Sequence, residues 1–544
     1  MTIFQRKPIS ILLSEAKEKG EHTLKKTLGP YKLIALGLGA IIGAGLFSIT
    51  GIAAGNYAGP AITVSFVIAA TGCCFTGLCY AEFASMLPVA GSAYTYSYAT
   101  LGEFIAWVIG WDLVLEYSVA SSMVSISWSR YIVKLLESFQ IYLPPELTLC
   151  PWEGGIANLP AAFIILLMSL LLIRGTEGSS WVNSIIVILK LSVVLIFIFL
   201  GWKFIDSDNY VPFIPENTGT WGEYGFSGII RAAAIVFFAF IGFDAVSTAA
   251  QETKNPKRDM PIGILASLAI CVVLYVLFAY VMTGVAHYTA FQGRDGIAPV
   301  AIAIDRMGML LPDGSLQPTY PWLNKAIILA ILAGYSSVIL VMLMGQSRIF
   351  YSISRDGLIP KLFSEVHKKY RTPYKSNLLF LLLISIFALF IPANVAGELT
   401  SIGTLLAFII VSIGILVMRK KMPDAPRTFK TPWVPVVPLL GILTCLFMMV
   451  FLPFDTWIRL ILWMLTGHDI YMFYGSKHSK LGVKKEGKLL AQIGLGITSL
   501  LLVLTMIHQT RIGWNSGNAF SVFLLIFSVC HILLYIIQLQ KNKK

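Results

Sequence analysis

The sequence predicts an all-α integral membrane protein of about 14 transmembrane helices, the first ten arranged as two inverted five-helix halves. Three observations predict it: the composition, the recurrence of apolar segments about 20 residues long, and two glycine-interrupted segments five spans apart.

Of the 544 residues 56% are hydrophobic and only 13% are charged, and the mean hydropathy is +0.76. A soluble domain of this length does not carry so little charge. The net charge of +13 does not point to nucleic acid, because Lys and Arg sit in short clusters between apolar segments without interleaved aromatics. The seven cysteines show no metal-ligand spacing and no paired framework, and six of them lie inside apolar segments; they read as small hydrophobes. The polar stretch through Lys32 lacks the short apolar core and small-residue cleavage site of a signal peptide, so insertion is expected to use the spans themselves.

The apolar segments fall near 33–54, 60–86, 104–136, 158–173, 182–202, 227–250, 261–286, 324–352, 376–392, 398–418, 433–453, 456–474, 488–507 and 518–538. With the N-terminus in the cytoplasm, the inner loops hold the basic clusters at 254–258, 355–375, 419–430 and 477–488. The outer loops then hold little more than Lys203, Arg294, Arg306 and Arg511 among several acids, Asp313 included. That asymmetry places both termini in the cytoplasm and agrees with an even span count. The chain divides into a cytoplasmic segment 1–32, ten spans over 33–418, and additional helices 11–14 with a short tail over 419–544.

Span 1 carries Gly37, Gly39, Gly43 and Gly45 within nine residues, a poor composition for a continuous rigid helix. No strand precedes these glycines and their spacing departs from the dinucleotide fingerprint. Close helix packing through small residues is the competing reading. Span 6 holds Phe237-Phe238-Ala239-Phe240-Ile241-Gly242-Phe243-Asp244, with a glycine and a carboxylate at mid-depth. Two broken segments at equivalent places mark an inverted-repeat transporter. Main-chain groups freed at membrane depth must be buried in protein or line a cavity, since each unsatisfied group costs several kcal/mol. Residue Gly43 and the amides of Ala44 and Gly45, at the start of a half-helix, suit a carboxylate. Carbonyls at Ile41, Phe238, Ala239 and Ile241 suit an ammonium group. One zwitterion satisfies both sets.

Lys190 in span 5 lies roughly 12 Å along its helix from the polar end, and Glu116 in span 3 roughly 18 Å along its own. Asp112 and Glu116, four apart, share a face. A lysine at a helix centre costs a few kcal/mol to insert, so it is read as functional with a partner to be found. Glu116 is the expected partner, and a change in their separation would let Lys190 bind and release a proton in each cycle. A static pair holding spans 3 and 5 together is the alternative.

Several stretches resemble the cationic amino acid transporter family of the amino acid–polyamine–organocation superfamily. They are Gly39-Ala40-Ile41-Ile42-Gly43-Ala44-Gly45, Tyr80-Ala81-Glu82-Phe83 through Pro88-Val89-Ala90-Gly91-Ser92-Ala93-Tyr94, residues 237–256, Gly345-Gln346-Ser347-Arg348 with Ser354-Arg355-Asp356-Gly357, and Tyr474-Gly475-Ser476-Lys477-His478-Ser479. The resemblance runs from about residue 25 to 480. It implies a leucine-transporter-like ten-helix core, amino acid binding between the broken helices 1 and 6, and no cofactor or metal. In proton-coupled relatives a lysine matching Lys190 replaces a sodium ion, and the carboxylate matching Glu116 is associated with it. Phe240 matches an aromatic position near the substrate, and Tyr335 in span 8 is expected to approach its side chain.

The resulting expectation is an amino acid permease of a bacterial inner membrane, with an amino acid, protons and lipid as partners and proton-coupled uptake as its activity. Arginine and lysine are candidate substrates, although near the breaks only Asp244 offers a carboxylate to a distal positive charge. A uniporter or exchanger and a transceptor share the same site. A membrane-embedded enzyme lacks its motifs, since no His-Glu-x-x-His, Gly-x-Ser-x-Gly or phosphate loop is present. A channel would favour rings of like polar groups over two broken helices.

Overall fold

All fourteen apolar segments are helical in the computed structural model, which describes residues 3–17, 28–87, 89, 91–174, 179–250, 253–292, 299–310, 316–319, 321–367, 370, 372–425, 427–481, 486–512 and 519–541. Pro88, Ala90, Arg294 and Asp313, named above, and Lys368, Lys369, Arg371, Lys484 and Lys485 of the basic clusters at 355–375 and 477–488 lie outside the described residues.

A short helix, α1 (Ile9–Lys17), precedes the membrane part. Span 1 begins as α2 (Pro30–Ile41), with a proline in its first turn where the missing N–H costs nothing. It continues through a π-helical turn Gly45–Ile49, α3 (Thr50–Ala53) and a second π turn Ala54–Ala58. Gly59, at φ 60°, reverses the chain into α4 (Ile62–Met86), span 2. A loop helix, α5 (Ser92–Thr100), leads to α6 (Glu103–Glu137), span 3. Then come α7 (Leu159–Arg174) and α8 (Ser179–Gly201), spans 4 and 5. Span 6 is α9 (Gly225–Val236), a 3-10 turn Phe237–Phe240 and α10 (Phe243–Thr248). Span 7 is α11 (Pro256–Val285). The next loop contains α12 (Pro299–Arg306) and a two-stranded antiparallel hairpin, β1 (Gly308–Leu310) with β2 (Leu316–Pro318), in which Met309 faces Gln317. Spans 8 to 10 are α13 (Pro321–Arg355), α14 (Tyr374–Phe390) and α15 (Ala393–Lys421). Spans 11 and 12 are α16 (Val436–Val450) and α17 (Phe454–Ile470), the second ending in a π turn and α18 (Ser476–His478). Spans 13 and 14 are α19 (Gly487–Ile512) and α20 (Ala519–Lys541).

Among the described residues nine helical stretches are long and apolar enough to cross a membrane. The first of these, Pro30–Met86, is 57 residues long and holds spans 1 and 2 together; spans 11 and 12 form a pair bent by 114°, and spans 4 and 9 are shorter apolar helices. Large apolar side chains stand exposed along these helices, Phe163, Phe199, Leu382, Val503 and Phe523 among them. A bilayer covers such faces without cost.

Packing follows one rule for spans 1 to 4: each lies against the span five places later. The breaks of spans 1 and 6 touch, α4 packs on α11, α6 on α13 and α7 on α14. Five being odd, members of a pair run in opposite senses, the relation that two inverted five-helix halves require. Spans 1, 2, 6 and 7 form one layer and spans 3, 4, 8 and 9 another, with α15 leaning on both α6 and α4.

Candidate functional site

The glycines of span 1 end the helix where the sequence placed the break. Ile42 still donates its N–H to Leu38 O at 3.0 Å, but its own backbone turns extended, at φ −74° and ψ 103°. The amides of Gly43, Ala44 and Gly45 find no acceptor among the described residues, and the ladder restarts when Leu46 and Phe47 donate to Gly43 O. The freed carbonyls are taken by side chains from far along the chain. Lys190 Nζ donates to Gly39 O at 2.7 Å and to Ile42 O at 3.0 Å. Tyr131 donates to Phe47 O at 2.7 Å, inside the π turn.

In span 6 the 3-10 turn hands over to extended Ile241, φ −61° and ψ 138°, and then to Gly242 at φ 115°, which favours glycine. Asp244 closes this break from below: Gly242 N–H donates to its Oδ1 at 3.1 Å and Tyr117 OH to its Oδ2 at 2.7 Å.

The two breaks interlock. A β-carbon on Gly45 would fall 2.2 Å from Ala239 Cα, and one on Gly242 would fall 2.9 Å from the carbonyl carbon of Ala40. Tyr275 of α11 spans the junction, its hydroxyl reaching Ile41 O at 2.9 Å and Ala239 O at 3.0 Å. A hydroxyl has one hydrogen, so it serves one of these carbonyls at a time. Aromatic rings wall the junction. Phe240 lies against Phe66 and Tyr275, with centroids 6.2 and 5.2 Å away, and Phe47 lies against Tyr335 and Phe278. Tyr335 OH is hydrogen-bonded to Ser48 Oγ at 2.8 Å.

Ile41, Gly43, Ala44, Gly45, Phe238, Ala239, Phe240 and Ile241 therefore surround one buried junction, with Tyr335 at its edge. Two expectations need correction. Phe238 O is not free for an ammonium group, because it accepts the Ile241 amide at 3.2 Å. More importantly, Lys190 does not meet Glu116. Its Nζ rests on the span 1 carbonyls, while neither carboxyl oxygen of Glu116 has a hydrogen-bond partner among the described residues, although the Thr404 side chain lies beside it. The distance is legible along α13: Gly334 touches Lys190 and Gly345 touches Tyr117, next to Glu116. Eleven residues of helix separate those levels by roughly 16 Å. Residue counting missed Tyr275, Tyr117 and Tyr131. Their signal was available, since a tyrosine at mid-span needs a partner for its hydroxyl.

Polar networks bind the core to its surroundings near the N-terminal side. Glu82 at the end of α4 accepts hydrogen bonds from Arg419 Nε and Nη2 at 2.8 and 2.9 Å and from the Thr431 amide at 2.8 Å, and is ion-paired with Arg427, whose Nε lies 3.1 Å away. Glu103 accepts hydroxyls from Tyr98, Tyr471 and Ser479 at 2.7, 2.8 and 2.5 Å. Trp107 Nε1 donates to Gly467 O, and Trp111 and Trp463 exchange indole-to-carbonyl bonds between spans 3 and 12.

Comparison with known proteins agrees with this arrangement. The family profile described as amino acid permease matches residues 28–468. The chain belongs to that family. This permease is 45% identical over 484 residues to the branched-chain amino acid permease BcaP of Bacillus subtilis (strain 168), covering 88% of this chain and 99% of that one. It is 40% identical over 482 residues to the methylthioribose transporter of the same organism, with the same coverage. It is also 34% identical over 412 residues to the vacuolar cationic amino acid transporter 4 of Arabidopsis thaliana, covering 75% of this chain and 66% of that protein. The resemblance drawn from the motifs is thereby borne out. The permease is a multi-pass membrane transporter of amino acids and not an enzyme.

Proposed function

We propose that this permease imports neutral amino acids with branched apolar side chains, driven by protons, across a bacterial inner membrane with both termini in the cytoplasm. The observation that carries the reading is the run of three amides, Gly43, Ala44 and Gly45, without acceptors among the described residues at the head of a half-helix. Such a run suits the α-carboxylate. The α-ammonium is met by the carbonyls of Ile41 and Ala239, each with lone pairs left over by the one Tyr275 hydrogen. Phe66, Phe240 and Tyr275 offer the side chain an apolar wall. Both oxygens of Asp244 are engaged by Gly242 and Tyr117, which argues against a cationic side chain there. The name of the Bacillus branched-chain permease supports the same class. The basic clusters in alternate loops support the orientation.

Lys190 is the proton carrier in this reading. Its two acceptors, Gly39 O and Ile42 O, belong to the very turn that must rearrange when span 1 opens. Loss of the proton weakens Lys190's hold on that turn, because charge-assisted hydrogen bonds are roughly twice as strong as neutral ones. Glu116 acts in the same coupling from a distance, on the cytoplasmic side.

The test is uptake of labelled isoleucine, arginine and methylthioribose into proteoliposomes, with and without an inward proton gradient. Saturable isoleucine uptake stimulated by the gradient is the expected result, and Lys190→Ala should abolish the stimulation while leaving isoleucine exchange. Preference for arginine would favour the cationic reading. Gradient-independent uptake by the wild type would make the chain a uniporter or exchanger, and binding without flux a transceptor.

A further inference from the structure

Below the break of span 6 lies a cluster of acids that the binding junction does not use. Asp112 and Glu116, one turn apart on α6, are 0% and 1% exposed, and none of their four carboxyl oxygens has a hydrogen-bond partner among the described residues. Asp244 is within electrostatic reach of Glu116, as is Asp112. The Tyr80 hydroxyl is equally buried and equally without a hydrogen-bond partner among the described residues, and the charges of all three acids bear on it. Spans 2, 3, 6 and 10 enclose the cluster. Gly403 of α15 keeps it roomy, since a β-carbon there would come within 3.2 Å of Asp112 Oδ1.

Two carboxyls at membrane depth, with no hydrogen-bond partner and no cation paired with them among the described residues, are not a packing device. An uncompensated buried charge costs several kcal/mol, and intramembrane acids otherwise come paired. Among the described residues no three His, Cys, Asp or Glu side chains converge closely enough to hold a metal ion. An organic ammonium suits better, because its three N–H groups reach acceptors spread over several side chains.

We propose that Asp112 and Glu116 form a second ammonium site, on the cytoplasmic side of the span 6 break, that receives the amino group of the substrate as it leaves the junction. The proposal rests on the import reading for its direction. The site adjoins the junction, because Tyr117, next to Glu116 on α6, donates to Asp244, which closes the span 6 break. Asp112 begins the exit path roughly 13 Å from the N-terminal end of α6, nine residues from Glu103.

The test uses the purified full-length protein and isobutylamine, the side chain and amino group of valine without its carboxylate. In saturating isoleucine, which fills the junction, isobutylamine should still raise the melting temperature, because a ligand binding only the folded state stabilises it. Asp112→Asn should weaken that effect at least tenfold in amine concentration. Gly403→Ala, which leaves every carboxyl in place and only crowds Asp112, should weaken it as well and covers the case in which the first variant fails to fold. The proposal is overturned if the amine effect is the same in wild type and variants, if isoleucine abolishes it, if sodium ions reproduce it, or if it follows pH alone. Failure of the import reading would show separately, as absent isoleucine uptake by wild-type proteoliposomes.

Discussion

Gly45 and Ala239 meet backbone to backbone, one from each broken span, at a separation that leaves no room for a β-carbon on the glycine. The contact makes the two breaks one mechanical unit. Gly45→Ala is expected to force them apart, at a cost of roughly 1–3 kcal/mol for overpacking, and to cut isoleucine uptake at least tenfold. Gly242→Ala should do the same, its backbone strained at φ 115° in addition. Melting curves of the purified variants beside initial uptake rates give the answer. Wild-type uptake by Gly45→Ala would mean the two spans do not bear on each other during transport.

Tyr275 serves two carbonyls that no helix satisfies. Tyr275→Phe removes the one hydrogen that Ile41 O and Ala239 O share, a loss of about 1–3 kcal/mol. The melting temperature should fall by several degrees without substrate, and saturating isoleucine should recover part of that fall, because its ammonium supplies the missing donor. Equal destabilisation with and without isoleucine would remove these carbonyls from the binding junction.

Glu82 is fully buried and draws on two arginines and an amide from the α15 end and the loop after it. Removing one partner of a buried pair typically costs about 3–5 kcal/mol, so Glu82→Gln should reduce the folded yield sharply. Glu82→Leu combined with Arg419→Leu and Arg427→Leu should recover most of it. Size-exclusion profiles from detergent extracts report the outcome. A triple variant no better than the single one would place the importance of Glu82 elsewhere.

Cys150 sits in the segment between spans 3 and 4, where burial pushes its thiol up from the usual value and Glu153 beside it adds to the shift. A group held above its ordinary value stays protonated at neutral pH, and only the thiolate reacts. A membrane-impermeant maleimide applied to whole cells should therefore label Cys150 slowly at pH 7 and progressively faster as the pH rises above 9. Labelling that occurs only after the cells are opened would reverse the orientation proposed above.

The spans were legible because a run of about 20 apolar residues has few other uses, and the breaks because four glycines in nine residues do not sustain a helix. The partner of Lys190 was not legible. Depth was counted from the ends of each helix, yet α6 has 35 residues and a length of about 52 Å, well beyond the ~30 Å of a bilayer core. Position along such a helix says little about depth in the membrane. Main-chain acceptors raise a second difficulty. Gly39 O and Ile42 O look like any other carbonyls in a sequence, and only the fold shows that the break has released them. The same holds for Tyr275, 234 residues from Ile41.

The cage around Glu103 has a consequence for how the polypeptide is divided. Two of its three hydroxyl donors, Tyr471 and Ser479, come from beyond the boundary drawn after residue 418, as do the indole and carbonyl partners of Trp107 and Trp111. A gene truncated after the tenth span would strip an interior acid of most of its donors and open a seam along span 3. Span 12 is thus a keel laid down with the hull, and an engineer seeking a minimal transporter would have to rebuild that flank, for instance with Glu103→Leu and apolar replacements at the two tryptophans.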